Sequence, residues 1–419
     1  MSALGTLADS LHALVRGLRE PRFYIALVLA LLVWVAAYQN KRDFNLEVAD
    51  LASNPYLSGF NDVEKSASDP PFLYRWSNGS PEVRFPGIGN EPVQVSIDTI
   101  GSRPNGAPPL VTFTARGQQF QLQTQAGEHS DTFFVDRGTT PFDGDLDLEF
   151  SVPAFTPPSD PRELGVIIRR VLVQPADYGL RPPVIPPLGI IASLLAGLVG
   201  IYVLFTLLTR RRRWALAAVW TLALLATLGI LWVRPDLALF AADLPVLLAW
   251  TIGLGIVAQL VMSLLARKDS AAFSPAPLAI ALLAFAFAFA LRYGGLIYPQ
   301  FRTSDLLLHV HNVQVVLSGN FVFTEPLPDG RPVPYPPAYY FLVGALSLFT
   351  GNSDSGIGLA LEWTASLLDA ATCLALFWAG SRIWRGQSRG LRAGSFAALV
   401  YPALPGAFDL FSAGNYTNL

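Results

Sequence analysis

The chain has 419 residues, of which 52% are hydrophobic and only 14% charged, well to the apolar side of the soluble norm, in which about a quarter of residues are charged. A formal net charge of -2 excludes the broad basic face that nucleic-acid binding needs. One cysteine, Cys373, excludes a disulfide framework and a cysteine-based metal site.

A helix rises about 1.5 Å per residue, so roughly 20 apolar residues cross a hydrocarbon core about 30 Å thick with every backbone polar group satisfied internally. Seven stretches meet or approach that length: 22–39, 184–208, 214–233, 243–266, 275–297, 357–380 and 393–411. The first ends in Trp34, Tyr38 and Gln39-Asn40 where a cleaved signal peptide needs small residues, so it reads as a retained anchor. Arginines 16, 19 and 22, then 210–213, then Arg267-Lys268, then arginines 382, 385, 389 and 392 flank these spans. The excess of basic residues in cytoplasmic loops puts all four clusters inside. The expectation is a multi-pass plasma-membrane protein with a cytoplasmic N-terminus, and with residues 41–182, the short Arg234–Asp243 loop and the loop 298–356 outside.

Residues 41–182 are of ordinary polar composition. From Tyr74 to Val173 they run in short period-two patterns, such as Val93-Val95-Ile97 and Leu146-Leu148-Phe150-Val152, separated by Gly, Pro, Asn and Asp. Strands at such spacing predict an antiparallel sandwich. The segments Tyr74-Arg75-Trp76-Ser77, Phe85-Pro86-Gly87-Ile88-Gly89 and Asp160 to Val166 resemble jelly-roll carbohydrate-binding modules, which implies glycan as a ligand. Trp76 and Tyr74 are then candidate sugar-stacking aromatics, with core or edge packing as the alternative. Asp160 and Arg162 are expected to pin a loop through an ion pair.

Residues 335–350, which begin Tyr335-Pro336-Pro337-Ala338-Tyr339-Tyr340, would reverse the charge parity if they crossed. Their shortness and prolines predict a juxtamembrane or re-entrant element, an ordinary short span being the alternative. The fold expected is therefore a polytopic α-helical membrane protein of about seven transmembrane helices plus that element, carrying an extracytoplasmic antiparallel β-sandwich. Its parts are residues 1–40, the N-terminus and first span; 41–182, the sandwich; 183–270, spans two to four; and 271–419, a further membrane region.

The loop after the fifth span carries the candidate chemistry. Asp305 and His309 are four residues apart and share a helix face; Asn312 continues that stripe, whereas His311 lies about 200° from it relative to His309. A carboxylate and an imidazole so placed suit general-base work, and with Asn312 they also suit a divalent metal. The competing reading of Asp305 is a helix cap, since Ser304 and Asp305 precede an apolar run. The order here is an acidic residue outside a span, an amphipathic helix, Gly319, a Pro-Pro-aromatic element, a span, a basic turn and another span. It resembles the GT-C superfamily of polyprenyl-phosphate-sugar-dependent glycosyltransferases, although many relatives have an acidic pair where this chain has Asp305 followed by Leu306.

The resemblance implies an inverting transferase with Asp305 as base, His309 beside it, a polyprenyl-phosphate sugar as donor and an extracytoplasmic glycan or protein as acceptor. Arg292 and Arg302 are then candidate donor-phosphate ligands, with snorkelling to the interface as the alternative. Glu362, Asp369, Asp409 and Tyr339 are candidate cavity-lining residues. It also implies more spans than seven, hence a longer chain or a second membrane subunit completing the enzyme. The rival readings are a membrane-anchored glycan- or partner-binding protein and a transporter or flippase component.

Overall fold

The computed structural model describes residues 3–68, 70–101, 103, 106–138, 144–158, 160–176, 183–266, 275–298, 305–320, 324–326, 332–334, 337–383 and 388–405. In chain order the elements are α1 (Ala3–Leu18), α2 (Pro21–Tyr38), β1 (Phe44–Glu47), β2 (Leu57–Phe60), β3 (Glu64–Lys65), β4 (Leu73–Tyr74), β5 (Ser77–Phe85), β6 (Val93–Ile100), β7 (Leu110–Ala115), β8 (Gln118–Gln123), β9 (Glu128–Val135), β10 (Leu146–Ser151) and β11 (Ile167–Pro175). There follow α3 (Leu188–Thr209), α4 (Arg212–Trp232), α5 (Arg234–Ala266), α6 (Pro275–Leu296), α7 (Leu306–Leu317), β12 (Thr324–Pro326), β13 (Pro332–Pro334), α8 (Pro337–Thr350), α9 (Asp354–Ile383) and α10 (Ser388–Val400). They form two compact units: Met1–Tyr24 with Gly197–Trp220 and Asp243–Leu419, and Ile25–Ala196 with Thr221–Ala242.

The second unit contains the sandwich, one sheet ordered β1-β11-β6-β9 and the other β2-β5-β10-β7-β8, with these neighbours antiparallel. Period-two alternation sends Val93, Val95 and Ile97 of one sheet and Leu146, Leu148 and Phe150 of the other into a single apolar core, as a sheet with one wet face requires. Two polar anchors tie the ends of this domain. Gln39 is bonded both ways to the Val184 backbone, its amide nitrogen donating to the carbonyl at 3.0 Å and its amide oxygen accepting the Val184 N–H at 3.0 Å. Arg234, buried, donates to the Ile88, Tyr38 and Asn40 carbonyls and lies over the Tyr38 ring.

Among the described residues six helices are long and apolar enough to cross a membrane: α2, α3, α4, α5, α6 and α9. On α2, Ala26, Ala30 and Trp34 are buried while Ile25, Val28 and Leu32 are exposed. Large apolar side chains on the outer face are the reverse of a soluble helix. α9 opens on Asp354 and carries Arg382 in its last turn, charges that complement its dipole.

Two expectations change. The 393–411 span appears in the described residues only as α10, of 13 residues, and a 3-10 turn at Tyr401–Ala403 with Pro402 in it; residues from 406 on lie outside the described set. Gly380 and Gly394 let α9 and α10 pass so closely that an added Cβ on Gly394 would meet the Phe377 carbonyl oxygen at 2.8 Å. The Arg234–Asp243 loop is instead the start of α5, because a proline in the first turn followed by Asp236 is a helix-opening signal. Of the short element expected at 335–350, the described part is α8, whose 14 residues extend about 21 Å, short of a hydrocarbon core.

Candidate functional site

In the first unit α7, α8 and α9 share an apolar core that includes Val310, Val313, Tyr340, Val343, Ile357 and Leu361. Asp305 occupies the position before α7, with φ −101 and ψ 1, and its side chain makes no capping hydrogen bond; its carbonyl accepts the His309 N–H at 3.1 Å. One turn along, His309 is buried and its Nδ1 lies 2.8 Å from the Tyr340 hydroxyl. Asn312 Nδ2 donates to that same hydroxyl at 3.2 Å, while Asn312 Oδ1 is buried with no hydrogen-bond partner among the described residues. Where Tyr340 donates to Nδ1, the imidazole proton sits on Nε2. His311 is exposed.

Tyr339, half-buried, donates to the Leu361 carbonyl at 2.8 Å and so ties α8 to α9. The sequence marks Tyr340 only as part of the Pro-Pro-aromatic element, not as a site residue, although it adjoins Tyr339. The helical phase of Tyr340, Val343 and Ser347, all buried, is the signal that distinguishes the two tyrosines.

Arg292 and Asp369 meet each other. Arg292 Nε is 2.8 Å from Asp369 Oδ2, with both side chains at 0% exposure, and the Tyr401 hydroxyl donates to Asp369 Oδ1 at 2.5 Å. The three residues join α6, α9 and the turn after α10. Glu362 is half-buried on α9, and the neighbouring Trp363 packs edge-on against Trp250 and Phe289. Arg302 and Asp409 lie outside the described residues. Among the described residues no group of three or more His, Cys, Asp and Glu side chains is arranged to hold a metal ion.

On the sandwich, Trp76 is half-buried and edge-packed, 6.4 Å from the Tyr74 ring and 6.1 Å from Phe155. The Tyr74 hydroxyl donates to Glu64 Oε2 at 3.0 Å; burial first, and then this carboxylate, push its pKa above the ordinary phenol value. Arg162 joins Glu64 at 2.7 Å to Asp160 at 2.6 Å. Its hydrogen bonds hold the Asp160 carboxyl below the usual range, and the same bonds raise its own pKa. Arg103 lies over the Phe155 ring and Arg169 over Phe72. The patch is thus a chain of half-buried rings edged by arginines and acids.

No family model and no curated protein matches the chain. Solved structures similar to it include carbohydrate-binding modules. One is the C-terminal CBM6 of a marine laminarinase from Zobellia galactanivorans, at 14% identity and TM-score 0.20, covering 32% of this chain and 99% of that one. A CBM35 from Cellvibrio japonicus shows 12% identity and TM-score 0.20, over 33% of this chain and all of that one. The third, a GH26-CBM35 β-(1,4)-mannanase of Podospora anserina, shows 10% identity and TM-score 0.22, over 34% of this chain and 29% of its own.

Proposed function

We propose that the chain is a membrane-embedded glycosyltransferase that moves a sugar from a polyprenyl-phosphate carrier to a glycan or protein acceptor outside the cytoplasm, with inversion. The observation that carries this reading is Asp305. It heads α7 without serving as its cap, one turn before the His309–Tyr340–Asn312 hydrogen-bonded group. A carboxylate at the start of a helix, one turn before an imidazole in sequence, suits removal of a proton from an acceptor hydroxyl.

In the reaction the acceptor oxygen forms a bond to the sugar's anomeric carbon as the bond from that carbon to the phosphate oxygen breaks on the opposite face. Asp305 takes the hydroxyl proton and the lipid phosphate departs with the bonding pair. A cation must meet that phosphate; with Arg292 engaged by Asp369, Arg302 is the cation this reading assigns to it. The six membrane-length helices suit a lipid-borne donor, and the basic clusters support a cytoplasmic N-terminus with the sandwich outside.

The test is transfer of radiolabelled sugar from a polyprenyl-phosphate donor by membranes containing the full chain or its Asp305→Asn variant at equal abundance. The variant is expected to lose about 10²- to 10⁴-fold, the usual scale for a general base. Equal transfer by both would remove Asp305 as the base. A second reading, a membrane-anchored glycan-binding protein, is favoured by the Trp76, Tyr74 and Phe155 rings edged by Arg103. Glycan binding by the chain that survives Asp305→Asn, without any transfer by the native protein, would support that reading instead.

A further inference from the structure

Within the first unit, positive charge gathers where α1 and its corner with α2 meet the turn between α3 and α4. The Tyr202 hydroxyl donates to the Gly17 carbonyl at 2.9 Å, and Gln259 Nε2 and Arg210 Nε both donate to Ser10 Oγ, at 3.0 and 3.1 Å. Phe23 stacks on Tyr202 with ring centroids 4.1 Å apart. These contacts fasten the small-residue face of α1, the helix whose end carries arginines 16, 19 and 22, to the turn that carries arginines 210–213. Among the described residues two carboxylates pair with them. Asp9 lies 3.6 Å from Arg210, and Glu20 is shared by Arg212 at 3.0 Å and Arg22 at 3.8 Å.

Arg211 and Arg213 are exposed, and no side-chain hydrogen bond or ion pair engages either among the described residues. With Arg212, Trp214 and Ala217 they line a cleft of about 670 Å³. Trp214 is 57% exposed, and on the outer face of α1 Leu11 and Val15 are 47% and 51% exposed. Guanidinium groups thus sit at the end of a membrane-length helix, an exposed indole lies beside them, and an apolar helix face runs alongside.

We propose that this cleft binds the headgroup of an anionic phospholipid, with α1 lying in the membrane interface as an amphipathic helix. Arg211 and Arg213 grip the phosphate oxygens, for which the planar guanidinium fork is suited. Trp214 takes the headgroup level, where indoles concentrate, and an acyl chain runs past the small Ala217. Leu11 and Val15 enter the acyl boundary, as apolar faces of interfacial helices do. A zwitterionic lipid has the same phosphate but adds an ammonium group, which the surplus of arginines repels; the site therefore selects net negative charge. This reading is independent of the transferase chemistry.

The experiment is native mass spectrometry of the full chain released from vesicles of equimolar phosphatidylglycerol and phosphatidylcholine. The native protein is expected to retain phosphatidylglycerol over phosphatidylcholine by about thirtyfold, the scale that two arginines near a membrane surface set. The Arg211→Gln/Arg213→Gln variant is expected to retain the two lipids equally. Should that variant not fold, the native chain decides: retention of phosphatidylglycerol must fall as salt screens the site, and inorganic phosphate must not displace the lipid. Equal retention of both lipids by the native chain, undiminished preference in the double variant, salt-independent retention, or displacement by inorganic phosphate would each overturn the proposal.

Discussion

The ion pair between Arg292 and Asp369 permits a quantitative test of how the first unit is held together. Both side chains are at 0% exposure and 2.8 Å apart, and Tyr401 adds a second bond to the carboxylate at 2.5 Å. Asp369→Asn keeps an acceptor for Tyr401 but turns an amide N–H₂ or a neutral oxygen toward a guanidinium whose charge is no longer matched. Breaking one side of a fully buried pair costs about 3–5 kcal/mol, most of it the uncompensated charge left behind.

Arg292→Met strands the carboxylate in the same way and is expected to cost about as much. Arg292→Met with Asp369→Leu removes both charges and fills the space with apolar atoms; it is expected to recover to within about 1 kcal/mol of the native protein, since such replacement is often neutral. The assay is equilibrium unfolding of purified protein in mixed micelles of increasing dodecyl sulfate content, with the four proteins forming a double-mutant cycle. If Asp369→Asn changes stability by less than about 1 kcal/mol, or if the double variant loses the sum of the two single losses, the pair is not a desolvated, mutually dependent unit and the reasoning fails.

Two further predictions follow from the same geometry. Tyr340→Phe removes the hydroxyl that His309 and Asn312 share while keeping the ring in the core; transfer activity should fall about tenfold or more in kcat with KM unchanged, within the range of general acid–base effects, and a native-like rate and pH profile would separate Tyr340 from the chemistry. For the sandwich, the Arg162 guanidinium holds the Asp160 carboxyl low, so the folded state favours the charged form. The stability this contributes is present above the unfolded carboxyl pKa and is lost as pH falls through the lower folded value, below about pH 4; acid unfolding followed by near-ultraviolet circular dichroism should show that dependence, and Asp160→Asn should remove it.

The parts of this fold that were legible in the sequence are those written in short-range periodicity. The alternation Leu146-Leu148-Phe150 became β10, and the apolar run from 22 to 39 became α2. α1 escaped notice because its 16 residues mix Asp9, Ser10 and His12 with leucines, a pattern of interfacial amphipathicity that a search for continuous apolar runs passes over. At the candidate site, the four-residue spacing of Asp305 and His309 and the 200° offset of His311 needed only helix geometry. What bonds to His309 lies 31 residues away at Tyr340, and Asp369 lies 77 residues from Arg292. Partnerships at that separation depend on how helices pack, and single-chain spacing carries no record of them.

The sandwich begins and ends on neighbouring strands: β1 pairs with β11 along Phe44↔Val173 to Glu47↔Arg170, and just outside them Gln39 clasps Val184. Such a domain behaves as a cassette. Its entry and exit lie side by side at a polar clasp, so loops inside it can lengthen, shorten or change sequence without altering the separation between the end of α2 and the start of α3. The helical chain is thereby insulated from the evolutionary history of what it carries. Natural selection, or a protein engineer, can change the loops of the β-domain while the turn from one helix to the next keeps its geometry.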